Sequence, residues 1–341
     1  MAKDIGYDYL NETFDIRGAE RHAVPQILAL AGPTFSGKTI GALFVAAGLI
    51  EPGQKIGFLD TEQGRGLAYA DDPEIRAAIP RESWVDGKPF GYIELLPPFH
   101  PARYMAALRA FQNAGYGLVI TDSASHAWAE EGGCLDMKEN DRAWNRAKLW
   151  NKRFSAALRY SPLHQIVCLR AQEKTKVIDA NKSSSGKQEY IPLGIQPICE
   201  KTFPFDLGTY ITVEGEVDGR PSTHLATPRK WLRAMDGLFV GWKPQLLTPE
   251  VGRRIREWNN RAPQEDVGER LRKQSRTIAA TGMDAYTGFY KDLSAAHKKL
   301  IFGQWHDDNK LIAQQSDREA SGETDEPKYG EQPDGTLVVS K

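Results

Sequence analysis

The sequence predicts an α/β fold with a mostly parallel sheet. Three observations carry that expectation. Short apolar runs alternate with helical patterns, the runs end in loop or polar residues, and a hairpin signal comes late. Of 341 residues, 40% are hydrophobic, 26% charged and 10% aromatic. Those fractions exclude wholesale disorder, collagen-like repeats and a bare coiled coil. The length allows one large domain or two ordinary ones, each with a buried core.

The elements follow in chain order. Residues 1–24 are polar and show no period. Residues 27–31 (Ile-Leu-Ala-Leu-Ala) are an apolar run stopped by Gly32-Pro33, which reads as a buried strand entering a loop. Residues 40–50 make a good helix, ended by Pro52-Gly53. Residues 55–60 form a second strand, and 101–114 space Tyr104, Ala107, Leu108 and Phe111 as a helix. A third strand, 118–120, runs into Thr121-Asp122-Ser123. Residues 143–160 are helical and 165–169 form a strand. Residues 205–213 and 223–227 flank Asp218-Gly219 as a hairpin.

Beyond Asp236 the character changes. Thr248-Pro249-Glu250 has the chemistry of a helix start, with Val251, Ile255 and Trp258 on one face. Residues 264–280, 283–301 and 305–315 read as further helices. Trp258, Tyr286, Phe289, Tyr290, Leu293, Leu300 and Trp305 are their candidate core. From Ser316 apolar residues are scarce and acids dominate, so this tail reads as disordered. The expected division is an N-terminal segment (1–24), an α/β core (25–232), a helical region (233–315) and an acidic tail (316–341).

Several classes drop out. No stretch approaches roughly 20 apolar residues, so no membrane span is expected. The first residues do not resemble a secretory leader. The three cysteines, Cys134, Cys168 and Cys199, make neither a disulfide framework nor a zinc pattern, and they suggest a reducing, cytoplasmic setting. The seven histidines form no metal-like cluster. Lys and Arg number 44 against 45 Asp and Glu. That near-balance argues against bulk electrostatic coating of nucleic acid and leaves a local basic surface open.

Gly32-Pro33-Thr34-Phe35-Ser36-Gly37-Lys38-Thr39 matches G-x-x-x-x-G-K-[ST], between a strand and a helix as the motif requires. Glycines let backbone N–H groups turn inward around phosphate oxygens at the positive end of the next helix. Lys38 can reach the β- and γ-phosphates of ATP, and the Thr39 hydroxyl can hold Mg2+. Asp122, delivered by an apolar strand to the carboxyl edge of the sheet, is the expected second metal ligand. In many phosphate-loop motors, the terminase and AAA+ types among them, a water-activating Glu follows that Asp directly. Here Ser123 follows. Glu62, at the end of residues 55–60, is the candidate to orient the attacking water, the alternative being a solvated loop carboxylate.

Together these residues resemble the RecA-like ATPase core over residues 25–232. That family has a phosphate loop, a strand end with the catalytic Glu, and an apolar strand ending in Asp-Ser. The look is nearest to shortened phage recombination ATPases linked to single-strand annealing, from which the helical segment after 236 departs. The resemblance implies a γ-phosphate sensor at Gln172 after the fourth core strand, the alternative being an ordinary loop amide. It implies two DNA-binding intervals as well. The first contains Arg142, Arg146, Lys148, Lys152 and Arg153, interleaved with Trp144, Trp150 and Phe154. An amphipathic helix with Trp150 and Phe154 in the core accounts for these aromatics equally well. The second, 174–190, is expected as a long polar loop with Lys174, Lys176, Lys182 and Lys187.

The resemblance further implies a homo-oligomeric ring or filament. In it, Arg229 and Lys230 would reach a neighbouring subunit's γ-phosphate, the alternative being a basic turn. The expected function is Mg-ATP-dependent recombination on single-stranded DNA, with a single-strand-binding protein or other recombination factor as a further partner. A replicative-helicase-like motor, a small-molecule kinase and a nucleotide-gated binding module stay open. No Arg-rich lid pattern favours the kinase.

Overall fold

The apolar run at residues 27–31 is in fact the centre of a nine-stranded sheet. The computed structural model describes residues 16, 18–137, 141–178, 189–217, 220–261, 266–321, 329–331 and 337–339. β1 (Ile27–Gly32) leads through the glycine-rich loop to α1 (Lys38–Leu49), and β2 (Lys55–Asp60) follows. A 3-10 turn (Arg65–Tyr69), α2 (Pro73–Ala78), β3 (Gly91–Glu94), α3 (Pro101–Asn113) and β4 (Tyr116–Asp122) come next. Then come α4 (His126–Ala129), α5 (Asp141–Arg159), β5 (His164–Ile178), β6 (Glu189–Pro197) and α6 (Phe203–Asp206). The unit closes with β7 (Thr209–Val217), β8 (Arg220–Lys230), α7 (Asp236–Phe239), β9 (Gln245–Leu246) and α8 (Pro249–Asn260).

The strand order is β3-β2-β4-β5-β1-β7-β8-β9, parallel from β3 to β7 and antiparallel from β7 to β9. Side chains alternate across a strand, and both faces of this sheet are covered, which explains why its strands read as unbroken apolar runs. Leu28, Leu30, Phe58, Ile120 and Ile166 pack on one side with α1 and α8. Ala29, Ala31, Leu59, Val119 and Val167 pack on the other with α3 and α5. The register pairs Asp60 with Asp122, Asp122 with Cys168, and Gly32 with Arg170. The carboxyl ends of β1, β2, β4 and β5 therefore form one edge, where α/β sheets present their ligand-binding residues.

Several expectations are corrected. The chain divides into compact units at Arg270/Leu271, within α9 (Val267–Ala279), not near residue 232. Helix α8 belongs with the sheet because it lies tightly on α1. A Cβ on Gly48 would collide with the Pro249 carbonyl oxygen, and one on Gly252 with the Val45 carbonyl oxygen. Two glycines thus let the backbones touch, and α1, covered by sheet and helix, is buried along nearly its whole length. Of the early segment, residues 18–24 form no helix or extended strand and are tied down. Asn259 of α8 accepts hydrogen bonds from the Val24 backbone N–H and the Gln26 side-chain amide. Residues 1–15 and 17 lie outside the described residues.

Of the long polar loop expected over 174–190, the two described ends, 174–178 and 189–190, are paired strands, and residues 179–188 lie outside the described residues. β5 continues past the sheet, and its distal half pairs antiparallel with β6, from Ala171 with Pro197 to Ile178 with Glu189. Phe205, expected in a strand, lies in α6.

The unit from Leu271 onward is helical. After α9 come α10 (Met283–Asp292), α11 (Ala295–Leu300) and α12 (Gln304–Ser321), then a short antiparallel pair, β10 (Tyr329–Glu331) with β11 (Leu337–Val339). The single helix expected over 283–301 breaks because Ser294 caps a new one, accepting from the His297 N–H. Tyr286, Phe289, Ile301 and Ile312 form this unit's core. The tail expected to be disordered from Ser316 begins inside α12. No described helix is long and apolar enough to cross a membrane.

Candidate functional site

The loop between β1 and α1 is shaped for an anion. Gly37 takes a left-handed conformation (φ 85°) and leads into α1, whose N-terminus has no side-chain cap and no acid in its first turn. The end of a 12-residue helix therefore keeps its partial positive charge for a ligand. Gly32 is required by space, since a Cβ there would collide with the Val213 carbonyl oxygen. Ser36 is fully buried beneath the loop, and Pro33 accepts the Ser36 N–H at 3.3 Å. Lys38 is buried and its Nζ donates to the Pro33 carbonyl at 2.7 Å. The ammonium thus folds back over the loop's own backbone.

Asp122 and Thr39, 83 residues apart, meet here. The Thr39 hydroxyl donates to Asp122 Oδ2 at 2.6 Å. Burial pushes the Asp122 carboxyl up to about 6; the Thr39 hydrogen bond and Lys38 oppose this, while Glu62 and Asp60 add to it. A carboxylate held dry beside other carboxylates is short of positive charge. That is the condition a hard cation relieves. Among the described residues no cluster of three or more His, Cys, Asp or Glu could hold a metal alone. The pair of oxygens still fits Mg2+, which takes one or two protein ligands and completes its shell with water and phosphate oxygens.

Glu62 stands on the adjacent strand end, held by residues that motif matching does not reveal. Asp60 is buried and anchors the loop. It accepts the N–H groups of Glu62 (2.6 Å) and Gly66 (2.8 Å) and the Tyr92 hydroxyl (3.1 Å). Glu62 Oε2 lies 2.7 Å from Arg65 Nη1, and its Oε1 lies 3.8 Å from His126 Nε2. His126 is nearly buried, and burial lowers its pKa, so it is neutral at pH 7. Arg170 Nη1, which can only donate, lies 3.3 Å from Nε2; the ring hydrogen is then on Nδ1, 3.1 Å from the Thr61 carbonyl. The Thr61 hydroxyl accepts the Ser123 N–H and donates to the Ser123 carbonyl. One hydrogen-bonded chain thus ties the end of β5 to the loop carrying Glu62 and to the residue after Asp122. Arg170 also pairs with Glu130 at 2.8 Å. Only the Asp60-Thr61 pair preceding Glu62 hinted at this in sequence.

The other expected site residues are more dispersed. Gln172 is exposed in the β5–β6 hairpin, opposite Gln196, two residues beyond Arg170. On α5, Arg146, Lys148 and Lys152 are exposed. Arg153 is buried (4% exposed), with its guanidinium over Trp150, so it is not part of that basic face. The aromatics serve packing. Phe154 contacts Tyr104 and Phe203, Trp150 meets the His100 ring edge-on, and Trp144 meets Trp128. Lys174 is exposed on the hairpin. Lys182 and Lys187 lie outside the described residues, as do the side chains of Arg142 and Lys176. Arg229 donates to the Thr212 hydroxyl at 2.9 Å and lies 3.6 Å from Glu214, and Lys230 reaches the Pro204 carbonyl at 3.5 Å.

No protein-family model matches this chain, and no curated protein matches it in sequence.

Proposed function

We propose that this protein is a Mg-ATP-dependent, RecA-like ATPase acting on single-stranded DNA in recombination, by annealing or strand pairing of the phage type. One observation carries the proposal. An open glycine-rich loop and helix N-terminus share a sheet edge with the Thr39–Asp122 pair and with Glu62.

In this reading the loop N–H groups and Lys38 bind the β- and γ-phosphates. Thr39 and Asp122 would hold Mg2+, which when bound neutralises charge on the phosphate oxygens. Glu62 orients the attacking water and accepts its proton, a task for which a residue near the γ-phosphate is needed because Ser123 follows Asp122. Gln172 is the proposed γ-phosphate sensor. Exposed Arg146, Lys148, Lys152 and Lys174, with Arg142, Lys176, Lys182 and Lys187, are the proposed DNA-binding cations. Subunits assemble as a ring or filament, with Arg229 and Lys230 serving the neighbouring site.

The test is ATP hydrolysis with and without single-stranded DNA. Stimulation by DNA, abolished in Glu62→Gln with nucleotide binding spared, is expected. Hydrolysis indifferent to DNA would favour a kinase-like enzyme. Salt-dependent DNA binding without turnover would favour a nucleotide-gated module, and ATP-driven duplex unwinding a helicase-like motor.

A further inference from the structure

Arg65 occupies a place that neither the loop motif nor the strand ends account for. It follows Glu62 by three residues, at the start of the 3-10 turn after β2. Its Nη1 lies 2.7 Å from Glu62 Oε2, and its guanidinium carbon lies 5.7 Å from the centre of the Phe35 ring. Phe35 sits on the phosphate loop itself, with a left-handed backbone (φ 65°), and is 85% exposed. The guanidinium therefore spans from the Glu62 carboxylate to the outer tip of the loop. Half its side chain is open to solvent.

We propose that Arg65 binds the terminal phosphate of the nucleotide from within the same subunit, exchanging Glu62 for phosphate oxygens as the nucleotide enters. The inference rests on the ATPase reading above and deepens it. Three physical points support it. A planar guanidinium matches two phosphate oxygens at once, and a doubly charged terminal phosphate outcompetes a single carboxylate for it. An ion pair this exposed is weak, so the exchange costs little. The Phe35 face keeps the cation beside the loop while it changes partner. The exchange also has a consequence for Glu62. With Arg65 on Oε2, one of its oxygens is committed, and transfer of Arg65 to phosphate frees that oxygen for the attacking water.

The experiment compares equilibrium affinities for Mg-ADP and for Mg with a non-hydrolysable ATP analogue, read by calorimetry, so no turnover is needed. Arg65→Ala is expected to weaken the triphosphate on the order of tenfold or more while leaving the diphosphate unchanged. Arg65→Lys, which keeps the charge and loses the fork, should fall between. Phe35→Leu should reproduce part of the loss. Unchanged diphosphate affinity also shows that the variants are folded. Equal loss for both nucleotides, or no loss for either, would overturn the role of Arg65 while leaving the nucleotide site intact. Failure of the wild-type protein to bind either nucleotide would overturn the ATPase reading and the inference with it.

Discussion

At the scale of single residues, the charged groups at the sheet edge do opposing jobs. Lys38 is buried and bonded to its own loop, which holds it at the proposed phosphate site. Lys38→Ala should abolish nucleotide binding, measured by calorimetry, and retained affinity would defeat the site. Asp122 carries a cost instead. Its carboxyl is raised from 3.8 to about 6 by burial, so between those values the folded protein holds a proton that the unfolded chain releases. The stability from that proton is fully present below pH 4 and lost as the pH climbs through 6. Above pH 6 the ionised carboxylate costs about 3 kcal/mol. Asp122→Asn should therefore stabilise the nucleotide-free protein at pH 7.5 by up to that amount and leave it unchanged at pH 4. Denaturant unfolding at the two pH values checks this; an equal gain at both would show that titration is not the cause.

At the scale of elements, helix contacts and helix faces decide what the sequence left open. Gly48 and Gly252 look like ordinary helix-weakening glycines until α1 and α8 are seen backbone to backbone. Gly48→Val should cost about 3 kcal/mol through overpacking, read from the shift in thermal or denaturant midpoint. Gly237, in α7 with open space around its Cα, is the control, and Gly237→Ala should be neutral or slightly stabilising. On α5 the alternative of an amphipathic helix holds for Phe154, which goes to the interior with Arg153, whereas Trp150, one turn before it, is only half-buried against His100. Arg146, Lys148 and Lys152 remain as the outward cations. Replacing all three with Ala should lower the salt-dependence slope of single-stranded DNA binding by about 2, whereas Arg153→Ala should lower stability and leave the slope alone. The hairpin of β5 and β6 was hidden because its lysines and threonines lack the apolar alternation that marks a half-buried strand. Backbone pairing with no buried face leaves little trace in composition.

At the scale of the whole molecule, the chain comprises two compact units, and only the first carries the phosphate loop. A ligand stabilises the unit that binds it. Calorimetric melting should therefore resolve two transitions, with Mg-nucleotide raising one by several degrees and leaving the other in place. A single transition that moves as a whole would show that the units unfold together.

What the sequence made legible is local. The strand, loop and helix around Lys38 are contiguous, so spacing and glycine placement alone predict them, and β1, β2, β4 and the inner part of β5 announce themselves because both of their faces are dry, whereas the partly exposed edge strand β3 gave no such signal. The rest depends on contacts between distant positions. Thr39 meets Asp122 across 83 residues, His126 meets Thr61 across 65, and Asn259 meets Gln26 across 233. Such meetings follow from strand order and register, which no window of sequence contains. The neutral His126, the anchor Asp60 and the position of Arg65 beside Phe35 emerge only once four strand ends are brought to one edge.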